Sequence, residues 1–271
     1  DNSNDDPSFS DMFQPRPMDV TAYKQHTVGI QAALADTSLP TLYWNNHDMA
    51  RVATRYGDAN YPKQSTKALA TALYLQRGTP IIYYGEELGL TNIRYQKLAD
   101  FEDQTVPTFV KSAQAAGKTM PEIMTMLNKT HKMAGRGPMQ WDSSTYHGFS
   151  DHLPWKHGQT DQMNAADEID DEDSIYNYYR QLLQLKRQAP FTDGQFIMLG
   201  SNDQLFTYLI DDGTEQAAII CNLSSEMQRY TLPFAGDATL LAQGGASCTE
   251  RQVTLPAWSS IVVSPRTTVS A

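Results

Sequence analysis

Leu39-Pro40-Thr41-Leu42-Tyr43-Trp44-Asn45-Asn46-His47-Asp48 is the stretch on which the fold turns. Leu39 to Trp44 is an apolar run of the length expected for a buried strand. Asn46, His47 and Asp48 then close it with groups capable of chemistry. Polar residues just past the carboxyl end of a parallel strand lie on the face where α/β enzymes assemble their sites. A carboxylate beside an imidazole in that position points to acid–base or electrostatic work.

The flanking sequence supports a parallel arrangement. Pro62 to Gln76 reads as a helix, with Pro62 suited to the first helical position and Ala68, Leu69, Ala72, Leu73 and Leu75 forming its apolar face. Gly78 is placed to end it. Thr79-Pro80-Ile81-Ile82-Tyr83-Tyr84 is a second apolar run, with Glu86 and Glu87 just beyond. Strand, helix and strand in this order define a βαβ unit. Both strands carry their polar residues at the same end. Upstream, Tyr23 to Ala35 has a weak helical pattern through Val28, Ile30, Ala33 and Leu34, and the polar residues 1–10 read as irregular.

Residues 92–135 form a long excursion with a helix expected over Met120 to Lys132. Excursions of this length usually cover or shape a site. Ser174 to Arg187 reads as a helix with Ile175, Tyr178, Tyr179, Leu182, Leu183 and Leu185 on its buried stripe. The acidic run Asp167 to Asp173 lacks the glycine and ligand spacing of a calcium loop, so it reads as carboxylates favoured near a helix N-terminus. Beyond Pro190 the texture changes to short strand-like runs: 195–199, 205–210, 216–223, 228–232 and 259–263. Asp211-Asp212-Gly213 is a hairpin signal between two of them. An antiparallel β domain is therefore expected over 190–271, after a first domain over 1–189.

The 271 residues are 40% hydrophobic, enough for a packed core. A formal charge of −10 argues against nucleic acid as a partner. No apolar stretch approaches the ~18 residues of a membrane span, and no leader opens the chain, which points to a cytoplasmic protein without a membrane partner. Cys221 and Cys248 are expected to be free thiols. His131, His147, His152 and His157 lack zinc-like spacing and are expected on the surface or in loops.

Four segments together resemble the α-amylase superfamily of glycoside hydrolases, in its oligo-1,6-glucosidase, dextran glucosidase and α-glucosidase branch. Trp44-Asn45-Asn46-His47-Asp48, with Arg51, is similar to the family segment that ends barrel strand 7. Gly78 to Gly89, followed by Thr91-Asn92, is similar to the segment on strand 8. Arg136-Gly137-Pro138-Met139-Gln140-Trp141-Asp142 resembles the branch's Arg-Thr-Pro-Met-Gln-Trp-Asp, and Asp173 to Arg180 matches its last barrel helix. The resemblance covers roughly residues 39–235. It implies the fold class: α/β, the last strands and helices of a (β/α)8 barrel followed by an antiparallel β-sandwich.

The resemblance also implies roles. Asp48 would be the carboxylate that stabilises a distorted, positively charged sugar in the transition state, and His47 would donate to the same sugar's hydroxyls. Arg136 and Asn46 would bind substrate. Glu86 and Glu87 look like an acid–base pair but are expected to fix their loop, and Arg51 to support the site through an ion pair. Trp141 and Trp155 suit either stacking on sugar rings or packing. Three positions depart from the family pattern: Lys132-Met133-Ala134-Gly135 before Arg136, Tyr84 where Gln is common, and Met49-Ala50 where Gln-Pro is common.

A retaining glycosidase needs a nucleophile and an acid, two carboxylates about 5 Å apart. In this family both lie on earlier strands, and Asp11 and Asp19 lack their flanking pattern. The isolated chain is therefore expected to be inactive. No cofactor or metal is called for, the substrate partner is a small oligosaccharide, and a cut barrel edge is expected to favour self-association or binding of the missing N-terminal part. The alternatives are a non-catalytic amylase-like interaction module, and a sucrose isomerase or glucosyltransferase of the same branch.

Overall fold

A computed structural model describes residues 11–160 and 163–265; the irregular reading of residues 1–10 lies outside them. In chain order the elements are α1 (Val20–Ala33), β1 (Thr41–Leu42), α2 (Val52–Arg55), α3 (Pro62–Tyr74), β2 (Thr79–Pro80), α4 (Thr105–Ala115), α5 (Met120–Thr130), α6 (Ala165–Asp170) and α7 (Ile175–Lys186). The strands β3 (Gln195–Met198), β4 (Leu205–Asp211), β5 (Gln216–Asn222), β6 (Gln228–Thr231), β7 (Ala238–Gln243), β8 (Ser247–Thr249), β9 (Gln252–Leu255) and β10 (Ser260–Ser264) follow. The chain forms two compact units. Among the described residues, one comprises 11–17, 45–56 and 83–170, the other 18–44, 57–82 and 171–265.

In the second unit, β1 and β2 pair in parallel, Thr41 opposite Thr79 and Leu42 opposite Pro80. The Thr79 and Ile81 amides donate to the Pro40 and Leu42 carbonyls at 2.9 and 2.8 Å. α3 begins with Pro62 in its first turn and buries every residue from Ser65 to Tyr74. The βαβ unit is thus present, but its strands are shorter than expected and buried on one face. Leu42 and Trp44 are buried while Leu39, Tyr43 and Ile81 are about half exposed. Each strand has one ladder partner among the described residues, which limits how much regular strand the run forms.

Antiparallel sheets with strand orders β3-β4-β5-β10-β7 and β6-β9-β8 complete this unit. The hairpin at Asp211-Asp212-Gly213 joins β4 to β5 in the register Asp211 opposite Gln216. β4 and β5 are buried on both faces. On one, Leu205, Leu209, Ala218, Ile220, Ile261 and Val263 share a core with Val253 and Leu255 of β9. On the other, Phe206 stacks on Tyr23 of α1 at 4.6 Å, and the Tyr208 hydroxyl donates to the Thr71 carbonyl of α3 at 3.2 Å. Two buried faces explain why both strands read as unbroken apolar runs. Thr71, Tyr178 of α7 and Ser260 of β10 share a buried hydroxyl cluster, with oxygens 2.6 and 3.0 Å apart. β7, β8 and β9 lack such an apolar run and had no strand assigned to them from the sequence.

The acidic run resolves into α6 and its exit. Asp171 accepts from Lys63 at 2.6 Å and Asp173 from the buried Lys67 at 2.7 Å, while Ser174 caps α7 by accepting from the Asn177 amide. Asp167 and Glu168 occupy the first turn of α6; the first turn of α7 carries no acid. Cys221 and Cys248 are free. No helix among the described residues is long and apolar enough to cross a membrane.

In the first unit, residues 92–135 hold two helices rather than one. Val106, Phe109 and Ala113 of α4 pack with Ile123, Met126 and Leu127 of α5 and with Ile93, Tyr95 and Phe101 in one core. His131 belongs to that core and corrects the surface assignment. It is buried, with ring centroids 5.0 Å from Phe13 and 5.2 Å from Phe101. Its Nδ1 accepts from the Met133 amide at 3.2 Å. Burial pushes its pKa down to about 4, against an opposing pull from Asp103 at 3.7 Å.

The folded chain therefore keeps His131 neutral, whereas the unfolded chain protonates it near pH 6.5. Stability is fully present above 6.5 and is lost as pH falls from there to 4, by about 3 kcal/mol in total. The urea midpoint is expected to fall between pH 7 and pH 4.5. His131→Asn, which retains an acceptor for the Met133 amide, should flatten that slope; an equal slope in the variant would assign it to other groups.

Candidate active site

Asn46, His47, Asp48 and Arg136 come together in the first unit. The Asn46 carboxamide oxygen accepts from the Asp48 amide at 2.8 Å, the short turn characteristic of Asn. That turn presents His47 and Asp48 outward: their side chains are 74% and 59% exposed, with Nε2 and Oδ2 3.3 Å apart. Arg136 ends the 3₁₀ turn Lys132–Arg136. Its Nε donates to the His47 carbonyl at 2.6 Å and its Nη2 to Asp48 Oδ1 at 3.1 Å. The planar guanidinium is thereby fixed edge-on to the trio. An exposed ion pair contributes only about 0–1 kcal/mol to stability, so the arrangement's value lies in orientation.

The departure before Arg136 has a steric role. A Cβ on Gly135 would lie 2.6 Å from the Met49 carbonyl oxygen, so glycine lets the turn approach the segment after Asp48 closely. The Ile93 amide donates to the Ala134 carbonyl and the Tyr95 hydroxyl to the Met133 carbonyl, at 2.9 and 3.1 Å, and these bonds hold the same turn from the other side.

Beneath the trio lies a buried polar layer. Asn45 donates to the buried Glu86 carboxylate and accepts from the Val52 amide. Arg51 is 2% exposed. Its Nη1 donates to the Tyr84 carbonyl at 2.7 Å, its guanidinium lies 5.2 and 4.8 Å from the Tyr83 and Tyr84 ring centres, and its backbone amide donates to Asn92 at 2.8 Å. Burial lowers its pKa, offset by Tyr84, Tyr83, Glu87 and Glu86. Arg51 is thus held by ring faces and a carbonyl, with the charges of Glu87 and Glu86 favourable beside it. Glu86 fixes its loop as expected. Burial raises the pKa of Glu87, and its Oε2 has no hydrogen-bond partner among the described residues.

Asn45 and Tyr83 are not singled out for the site by sequence, and Tyr84 only as a departure from the family pattern; their proximity in the chain to the two polar strand ends is the available signal. Trp141 and Trp155 are 53% and 66% exposed, and the Trp155 indole donates to Glu102 at 3.1 Å. His147, His152 and His157 lie in the segment Thr145–Thr160, outside the core.

One carboxylate, an imidazole and a guanidinium on adjoining loops can exchange hydrogen bonds with hydroxyl groups and can set a negative charge beside a developing positive one. Residues 2–194 match the family model "Alpha amylase, catalytic domain", and the chain belongs to that family. Its relatives include an oligo-1,6-glucosidase of Bacillus cereus, 32% identical over 224 residues, covering 80% of this chain and 40% of that protein. Another is a glucan 1,6-alpha-glucosidase of Streptococcus pneumoniae serotype 4, 33% identical, covering 82% and 42%. Among solved structures, a family GH13_31 enzyme superposes with a TM-score of 0.85 at 38% identity, covering 95% of this chain and 47% of that one. An isomaltulose synthase from Klebsiella sp. LX3 superposes at 0.83 with 28% identity, covering 91% and 46%. The chain thus spans less than half the length of these relatives.

Proposed function

We propose that this chain supplies one side of the sugar site of a retaining α-glucosidase-type hydrolase acting on α-glucosidic bonds of short oligosaccharides, of the oligo-1,6-glucosidase or glucan 1,6-α-glucosidase kind. The observation that supports it most is the convergence of Arg136 on Asp48 and His47. Asp48 hydrogen-bonds hydroxyls of the sugar whose bond is cleaved, and its negative charge favours the oxocarbenium-like transition state. His47 and Arg136 donate to the same sugar, and Asn46 sets the turn that presents them.

In this reading residues 1–189 are the last strands and helices of a (β/α)8 barrel, and 190–271 are its β-sandwich. The nucleophile and the general acid come from the rest of the barrel. Asp48 stabilises charge that the other two carboxylates generate, so the 271-residue chain alone releases no nitrophenol from a nitrophenyl α-glucoside. Turnover by the purified chain would overturn that assignment of roles.

The β1–β2 pair has free outer edges among the described residues, flanked by exposed Leu39, Tyr43 and Ile81. Unpaired parallel edges invite further strands. The chain accordingly self-associates, or binds the complementary part of the barrel, in light scattering; a stable monomer at high concentration would count against this. The likeness to isomaltulose synthase supports a second reading, transfer within sucrose in place of hydrolysis. Product analysis on sucrose, with the chain extended to its relatives' length, separates the two.

A further inference from the structure

We propose that Tyr84 is a positioning residue for Arg136, acting through the carbonyl of Gly137. The Tyr84 hydroxyl donates to the Gly137 carbonyl at 2.6 Å, one peptide beyond the arginine that reaches Asp48. The ring is held in turn. Arg51, buried and bonded to the Tyr84 carbonyl at 2.7 Å, stacks on it with its guanidinium 4.8 Å from the ring centre. Tyr83 lies against it at 4.5 Å between centroids.

Two glycines make the contact consequential. Gly135 packs on the Met49 carbonyl, and a Cβ on Gly137 would lie 2.5 Å from Ile93 Cγ2. The backbone on both sides of Arg136 thus lies close against its neighbours without side chains of its own to anchor it. Anchorage falls to outside groups, and Tyr84 supplies the hydrogen bond on the C-terminal side. Its loss lets residues 136–137 withdraw, and the Nε bond from Arg136 to the His47 carbonyl lengthens with them. The catalytic consequence rests on the sugar-site reading above; the geometric claim does not.

The test uses the 271-residue chain with ¹⁵N-labelled arginine. The Arg136 Nε–H resonance is assigned by its disappearance in Arg136→Lys, and its exchange with water is measured. Arg251 serves as the internal reference, because its Nε donates to the Leu232 carbonyl at 2.8 Å in a similar bond. Tyr84→Phe keeps the ring under Arg51 and removes only the hydroxyl. Exchange at Arg136 is expected to rise roughly tenfold, the worth of one lost hydrogen bond, while Arg251 is unchanged. Tyr83→Phe leaves the donation to Gly137 in place and should leave Arg136 exchange as in the parent chain.

Unchanged exchange at Arg136 in Tyr84→Phe would overturn the proposal. So would an equal rise at Arg136 and Arg251, which marks general loosening. No sugar enters the measurement, so its outcome is independent of whether Asp48 and Arg136 bind one.

Discussion

Asp48→Asn, made in a chain extended to the length of its relatives, is expected to lower kcat on an α-glucoside by roughly a thousandfold, the scale seen when a preorganised transition-state contact is removed. The substitution keeps size and hydrogen-bonding reach and removes one negative charge. A ground-state glucoside is neutral, so the charge matters little to binding; the transition state is cationic, so it matters there. KM should therefore change far less than kcat. The side chain is 59% exposed and its bond to Arg136 lies at the surface, which limits the stability cost to about 1 kcal/mol or less. A fall in kcat below about tenfold would remove Asp48 from transition-state stabilisation. A matching collapse of the unfolding midpoint would assign it a structural role instead.

Gly78→Ala is expected to be the most destabilising single change near the opening stretch. Gly78 has φ +144°, and a Cβ there would lie 2.6 Å from the Pro40 carbonyl oxygen and 2.8 Å from Leu42 Cγ. That same carbonyl accepts the Thr79 amide at 2.9 Å. The methyl group must therefore displace a rung of the β1–β2 ladder or push Leu42 from the core. Backbone strain and overpacking of this kind cost about 2–4 kcal/mol together. The Trp44 indole donates to the Leu69 carbonyl at 2.8 Å beneath the ladder, so its fluorescence during urea unfolding reports the change. A midpoint equal to the parent's would show that the two strands tolerate separation.

Much of this was legible in the sequence where one rule governed the segment. α3 announced itself through Pro62 and a continuous apolar face, α7 through Ser174 and its stripe, and β4 and β5 through runs buried on both faces. Elements that rely on a neighbour were harder to see. α4 carries its signal in Val106, Phe109 and Ala113, which become meaningful only beside α5. β7, β8 and β9 bury at most alternate residues and take their form from their ladders. His131 looked like a loop histidine because nothing local shows that Phe13 and Phe101 enclose it. In the site, Asn46, His47 and Asp48 are marked by their place at a strand end, while their roles, and Arg136, come from resemblance. Asn45, Arg51 and Tyr84 act through backbone carbonyls, amides and ring faces, contacts that no motif spacing records.

The interleaving of the two units sets an order of assembly. Among the described residues, the unit that carries Asp48 and Arg136 ends at residue 170, whereas the other includes β10 (Ser260–Ser264), which lies between β5 and β7. A ribosome releases the last residue of the unit that carries Asp48 and Arg136 about a hundred residues before β10 of the other. During that interval α3, with its apolar surface, waits for α7 and the sheet that will cover it. Slowing synthesis over this window is expected to expose that surface for longer, read out as a lower yield of chain in the supernatant.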